Sequence, residues 1–307
     1  MNRRELLKIA GISAGASILP RSLYAAAAPS SAAFTYCLNM ATIRGHKLGF
    51  IKELEVAAQA GFRSVEIWMD SLQTYLQNGG TISNAKRRIN DLGIKVENAI
   101  GFAKWIVPDE SERKKGIEQM KQEMELLAQL GCRRTAAPPI GATEGILLDL
   151  QQVAERYRTI LQLGDQTGVV PQLELWGFSK NLGKLSEVVY VAIQSGHPSA
   201  RILLDVFHLY KGGSSLATLS LVSPHAVEIL HVNDYVANIP AATITDADRV
   251  YPGDGIAPIR TILQTLKNPQ RPLIISTEVF NKNYYRQDAL TVASTALAKM
   301  KKVTKDI

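Results

Sequence analysis

Two hydrophobic periods alternate along the chain from residue 34 onward. Short runs dense in apolar and β-branched residues stand at "FTYCL" (34–38), "SVEIW" (64–68), "KVENAI" (95–100), "RRTAAP" (133–138), "VPQLELW" (170–176), "RILLDV" (201–206), "EILHVN" (228–233) and "PLIISTEVF" (272–280). Between most of them lies a segment of helical length and period, such as "ERKKGIEQMKQEMELLAQLG" (112–131). Strands that alternate with helices pair in parallel, each helix carrying the chain back to the start of the next strand. Eight such units in roughly 270 residues predict an α/β chain folded as a (β/α)8 TIM barrel, a single catalytic domain over residues 34–303. A doubly wound open sheet fits less well, because no glycine-rich phosphate turn follows the first strand.

The first 28 residues break this pattern. "MNRRELLKIAGISAGASILPRSLYAAAAP" has Arg3-Arg4, a short apolar run from Ile9 to Leu19, and a cluster of alanines. That is the layout of an export signal with a small-residue cleavage region, and the run is too short for a stable membrane anchor. "NRRELLK" resembles the twin-arginine signal, with the usual Ser or Thr and Phe replaced. The resemblance implies the twin-arginine export machinery as a partner, cleavage near Ala25–Ala28, and a periplasmic or otherwise exported protein.

Export changes the charge argument. The whole chain carries a formal +7, but without residues 1–28 it has 31 basic against 27 acidic residues, or +4. A surplus that small on a large domain gives no reason to expect nucleic acid as a partner. Cys37 and Cys132 are too few for a disulfide framework, and no CxxC spacing occurs, so both read as small packing residues.

A barrel of this kind places its chemistry at the C-terminal ends of its strands. Strand 5 ends with Glu174, strand 6 with Asp205, strand 7 with His231 and strand 8 with Glu278. Each alone has an ordinary reading: a helix N-cap for Asp205, a core histidine for His231, a rim ion pair for either glutamate. Four in register on successive strands point to a shared site. Three carboxylates and one imidazole make a hard, oxygen-rich donor set that suits one divalent ion, Mn2+, Mg2+ or Co2+, with Zn2+ also compatible. In "ILLDVFHLYKGG" (202–213), Asp205 is then a ligand and His208 stands beside the ion.

As a set, "LELWG", "LLDVFH", "HVNDY", "DADRVYPGDG" and "STEVF" resemble the strand-end signatures of the xylose isomerase-like superfamily of sugar isomerases, ketose 3-epimerases and inosose-pathway enzymes. The resemblance covers essentially all of residues 34–300. It implies Glu174, Asp205, His231 and Glu278 as metal ligands, and His208 and Arg249 as contacts to substrate oxygens. It also implies a mechanism in which the ion polarises a sugar carbonyl, Glu174 and Glu278 move the proton on the neighbouring carbon, and Arg249 steadies the enediolate. Glu66 and Trp176 are further candidates for substrate contact, Glu66 equally for a structural ion pair. Trp68, Lys104 and Trp105 also fall near strand ends, while "YKGGSS" (210–215) reads as a plain turn.

Three other functions compete. A lyase or hydratase acting on keto-sugars or 3-keto-glycosides would use the same fold and metal. A non-catalytic sugar-binding protein would have little use for an intact ligand set. The superfamily's abasic-site endonucleases need a histidine-rich trinuclear zinc site, whereas here "DADRV" (246–250) lacks the Asp-x-His and the whole chain has five histidines. The sequence therefore favours a metal-dependent isomerase or epimerase acting on a small sugar or sugar derivative.

Overall fold

The computed structural model describes residues 33–307; the expected export signal lies outside the described residues. The eight strands are β1 (Phe34–Asn39), β2 (Ser64–Trp68), β3 (Lys95–Ile100), β4 (Arg134–Ala137), β5 (Val170–Glu174), β6 (Ile202–Asp205), β7 (Val227–Val232) and β8 (Leu273–Thr277). Each begins within one residue of its predicted run. The first helices are α1 (Ala41–Arg44), α2 (Phe50–Gln59), α3 (Met69–Gln77), α4 (Ile82–Asp91) and α5 (Glu110–Leu130). They are followed by α6 (Leu150–Thr167), α7 (Leu185–Gln194), α8 (Val206–Lys211), α9 (Ile259–Leu266) and α10 (Ala289–Thr304).

Helix ends follow local chemistry. The side chains of Asp109, Asp149 and Asp288 accept the amides of Glu112, Gln152 and Thr291, capping α5, α6 and α10. Gly131 and Gly168 end α5 and α6 in the left-handed conformation, which a residue without Cβ adopts at no steric cost. The Tyr157 hydroxyl of α6, fully buried, shares its single hydrogen between the carbonyls of Pro171 (2.9 Å) and Arg201 (2.8 Å), tying that helix to β5 and to the entry of β6.

All strand pairs are parallel, in the order β3-β2-β1-β8-β7-β6-β5-β4. Side chains close the remaining seam between β3 and β4: Thr135 Oγ1 donates to the Ala99 carbonyl (3.4 Å) and Arg134 Nη1 to that of Glu97 (3.3 Å). The register sets Asp205 opposite His231 and His231 opposite Ser276, so the β6, β7 and β8 ends share one level. At the opposite, N-terminal end of the barrel, Glu228 joins Arg134 Nε (2.5 Å) and Arg201 Nε (3.1 Å), and Arg134 Nη1 also reaches Glu97 (3.3 Å). These guanidinium groups outweigh the burial that would raise the Glu228 carboxyl and hold it below its ordinary range. This end of a barrel contributes stability and the other carries chemistry. Cys37 and Cys132 are buried and unpaired, and burial raises both thiols, as expected of packing residues.

Candidate metal centre

The register brings the four predicted ligands together. Glu174 and Asp205 are the last residues of β5 and β6, His231 lies one residue before the end of β7, and Glu278 follows β8. All four are buried. His231 Nδ1 stands 3.4 Å from Glu278 Oε2, 3.7 Å from Asp205 Oδ2 and 3.9 Å from Glu174 Oε1. Donors about 2.0–2.2 Å from one ion lie roughly 2.8–3.6 Å from each other at right-angled or tetrahedral geometry. The observed separations match or slightly exceed that spacing. His231 Nδ1 and Glu174 Oε2 are buried without a hydrogen-bond partner, a costly state that a cation would relieve. The donor set therefore fits a divalent ion, with Asp205, His231 and Glu278 as the tightest group.

A second ring of buried polar groups holds this set in place. Glu66 in β2 accepts from His231 Nε2 at 3.0 Å. Placing the imidazole proton on Nε2 leaves the Nδ1 lone pair for a metal, a carboxylate–histidine–metal relay. Asn98 Nδ2 (2.8 Å) and Asn39 Nδ2 (3.1 Å) also donate to Glu66. Asn39 Nδ2 further bonds Glu278 Oε1 (3.0 Å), and its own oxygen accepts the Trp68 indole N–H (2.9 Å). Asn233 Nδ2 steadies Asp205 Oδ2 at 3.0 Å. Asp205 has both of the readings its sequence offered, because its Oδ1 caps α8 by accepting the His208 amide (2.9 Å) while Oδ2 faces the cluster.

The electrostatics follow from burial and near neighbours. Burial would raise the Glu66 carboxyl, but the charge and hydrogen bond of His231 outweigh it and hold Glu66 below its usual range. Burial opposes charge on His231, yet Glu66 and Glu278 raise it well above an ordinary imidazole, so an ion would bind Nδ1 by displacing its proton. Burial pushes Glu174 up to about 8, partly offset by His231 and reinforced by Glu278.

Arg249 and His208 complete the upper side. Arg249 Nη1 donates to Asp205 Oδ2 (2.8 Å) and Glu278 Oε2 (2.9 Å), and Nη2 to Asp246 Oδ1 (2.5 Å). Its guanidinium lies 4.4 Å above the Phe207 ring, so it is held by cation–π contact as well as ion pairs. Arg249 Nη2 also lies 3.1 Å from His208 Nε2. A guanidinium only donates, so Nε2 accepts and the His208 proton sits on Nδ1, which has no partner in the protein. Burial, with Arg249 adding to it, lowers His208 to about 3 and keeps it neutral. Gly177 and Gly212 permit this arrangement. A Cβ on Gly177 would stand 2.2 Å from the His208 carbonyl, and one on Gly212 2.1 Å from the Gly183 carbonyl, so the β5–α7 loop packs directly on α8. The Gly212-Gly213 pair thus serves packing and a turn, in line with the plain reading of "YKGGSS".

Of the two readings open for Glu66, the structure shows the structural ion pair: it is fully buried, with His231, Asn39 and Asn98 using both of its oxygens. Trp105 is also fully buried and gives its N–H to the Pro138 carbonyl, so it is a core residue, and Lys104 pairs with Glu112 at the surface. Trp176 and Trp68 do line the space above the cluster, a cavity of about 150 Å3 that also touches Phe102, Phe178 and Phe280. A larger cavity of about 700 Å3 between α2 and α3 holds none of the clustered ligands. Geometry and chemistry select the smaller one. The supporting roles of Asn39, Asn98 and Asn233 had no sequence signal beyond their places at strand ends. Asp246 stood inside a quoted motif without an assigned role.

A nearly closed parallel barrel with a buried carboxylate–histidine cluster at its strand C-termini defines a metal-binding (β/α)8 protein. The chain belongs to the xylose isomerase-like TIM barrel family, whose profile matches residues 54–303. Curated relatives include an inosose isomerase of Halalkalibacterium halodurans, 29% identical over 269 residues (85% of this chain, 93% of the relative). The inosose isomerase of Bacillus subtilis is 27% identical over 289 residues (88% and 96%). Among solved structures, the IOLI protein with a bound zinc atom superposes with a TM-score of 0.80 at 24% identity, covering 88% of this chain and 98% of that one. D-psicose 3-epimerase from Clostridium cellulolyticum H10 with D-tagatose gives 0.70 at 19% identity (88% and 99%).

Proposed function

We propose that this chain is a divalent-metal-dependent sugar isomerase or epimerase that moves a proton on the carbon beside a carbonyl. One observation carries the reading: two carboxylates with proton-transfer capacity, Glu174 and Glu278, share a buried cluster with an imidazole whose metal-binding nitrogen is free. The inosose isomerase relatives and the epimerase folds support it. An ion held by Glu174, Asp205, His231 and Glu278 supplies Lewis-acid polarisation of the substrate carbonyl. The chain's own groups do the rest. Glu174 Oε2, free of protein hydrogen bonds, takes the proton, and Glu278, reaching in from the opposite part of the ring of strands, returns one. The neutral His208 offers its Nδ1–H to a substrate oxygen. Arg249, already braced by Asp205 and Glu278, faces the negative charge that develops there. The aromatic walls exclude water and stack on the ring.

The oxygen-rich donor set favours Mn2+, Mg2+ or Co2+, and the nitrogen ligand also admits Zn2+. Arg3-Arg4, the apolar run and the alanine cluster support export through the twin-arginine machinery. To test the function, metal content is measured by elemental analysis and the loaded protein is incubated with a panel of ketoses and inososes. About one ion per chain with an isomerised or epimerised product is expected. An eliminated or hydrated product would make the chain a lyase, and sugar binding without turnover would make it a binding protein.

A further inference from the structure

The cavity above the cluster is small for a whole ligand. At about 150 Å3 it falls below the roughly 300–1,000 Å3 usual for small-molecule sites. A second cavity of about 230 Å3 adjoins it, lined by Phe178, Phe207, Lys211, Ile244, Thr245 and Asp246. Phe178 and Asp246 line both, so the two spaces share a wall, and together they enter the usual range. Phe178 is 46% exposed, and its ring packs 5.3 Å from Trp176 and 5.6 Å from His208, two residues of the first cavity.

The second cavity suits an apolar group better than a polyol, because its accessible lining is mostly apolar. Its polar side chains are each partly engaged within the protein. Lys211 Nζ donates to the Ala242 carbonyl (2.9 Å), Thr245 Oγ1 to Asp248 Oδ2 (2.7 Å), and Asp246 Oδ1 accepts from Arg249. The remaining wall is Phe178, Phe207 and Ile244. A hydroxylated ring placed there would recover only part of its water hydrogen bonds, from Lys211 Nζ and Asp246 Oδ2, whereas an apolar ring would be favoured by burial against the aromatic wall.

The geometry points to a two-part ligand: a carbonyl-bearing sugar or cyclitol ring above the carboxylates, and an apolar, ring-sized substituent in the side cavity behind Phe178. The inference rests on the proposed function for the first ring only, because the side cavity binds its group without chemistry. Phe178 and Thr245 then determine specificity, and neither touches the reacting atoms.

Calorimetric titration of the metal-loaded protein with the phenyl and methyl β-glycosides of 3-keto-D-glucose, which keep a carbonyl on the ring, tests it. Burying the phenyl ring predicts tighter binding of the phenyl glycoside by at least about tenfold. Phe178→Ala, which removes the shared wall, and Thr245→Trp, which fills the cavity from an exposed position, are each expected to bring the phenyl-to-methyl ratio close to one. The ratio cancels any general loss of affinity, and two variants keep the test decisive should one fold poorly. Equal wild-type affinities, no measurable binding of the phenyl glycoside, or a ratio that survives both substitutions would overturn the inference. Failure of the proposed isomerase function shows separately, as absent turnover of small ketoses and inososes alongside an intact phenyl preference.

Discussion

Replacing Glu66 by glutamine isolates the group that orients the metal-binding imidazole. Three donors converge on its two oxygens: His231 Nε2 at 3.0 Å, Asn98 Nδ2 at 2.8 Å and Asn39 Nδ2 at 3.1 Å. Glutamine has one oxygen and one NH2, so at least one of these donors would meet another donor in a fully buried site. If the NH2 faces His231, Nε2 must accept, the proton moves to Nδ1 and that nitrogen is lost as a ligand. If the oxygen faces His231, the tautomer survives, but the negative charge behind the ring is gone and an asparagine is left unsatisfied. Loss of such a partner typically weakens metal binding by about 10–100-fold, or about 1.4–2.7 kcal/mol. The unmet donor costs the fold a further ~1–3 kcal/mol. Competition of wild type and Glu66→Gln against a chromophoric zinc chelator measures the first quantity, and thermal melting of the metal-stripped proteins the second. A folded Glu66→Gln variant that binds zinc within twofold of wild type would refute the relay.

Other substitutions separate the remaining roles. Asp205→Asn should lose both metal and activity. His208→Ala should retain the metal and slow turnover by about 10²–10³, since one hydrogen-bond donor to a reacting oxygen is removed; metal analysis and kinetics on both variants decide, and the reverse pattern would show the roles exchanged. In α5, burial raises the Glu123 carboxyl above its ordinary range despite hydrogen bonds from Gln119 and Gln73. A raised acid binds protons more tightly in the folded state, so its contribution is fully present below the unfolded value of about 4.3 and is lost as pH rises through the folded one. Glu123→Gln should therefore raise the melting temperature relative to wild type at about pH 8 and change it little at about pH 4, as scanning calorimetry would show. Replacing Arg3 and Arg4 by lysine should leave the unprocessed protein in the cytoplasm, which fractionation and immunoblotting would detect; normal processing would remove the twin-arginine assignment.

The barrel was legible because each strand is a short apolar run bounded by a helical period, which is why all eight starts fall within one residue of prediction. The candidate cluster was legible because chain order and strand ends place Glu174, Asp205, His231 and Glu278 at one level. The groups behind it were not. Glu66 sits in mid-strand and meets His231 only after the sheet closes across 165 positions of sequence, in a strand whose register shifts between Val65 and Glu66. Asn39 and Asn233 act through single amide hydrogens whose direction no periodicity encodes. Trp68, Trp105 and Trp176 look alike in sequence, all near strand ends. Only packing separates Trp105, fully buried with its N–H satisfied by the Pro138 carbonyl, from the two that face the cavity. The doubled role of Asp205 arises because α8 begins at the very next residue, so one carboxylate oxygen caps the helix and leaves the other for the cluster.

Solvent hydrogen exchange tests the central claim most directly. Metal-loaded protein is incubated in D2O with an inosose and, separately, with a ketose, and the carbon beside the carbonyl is followed by NMR. Deuterium should appear at that carbon in at least one substrate, with the isomerised or epimerised product, and should fail to appear after metal removal or in Glu174→Gln. Protein carrying a full complement of metal that leaves every such carbon protonated would contradict proton abstraction by this site.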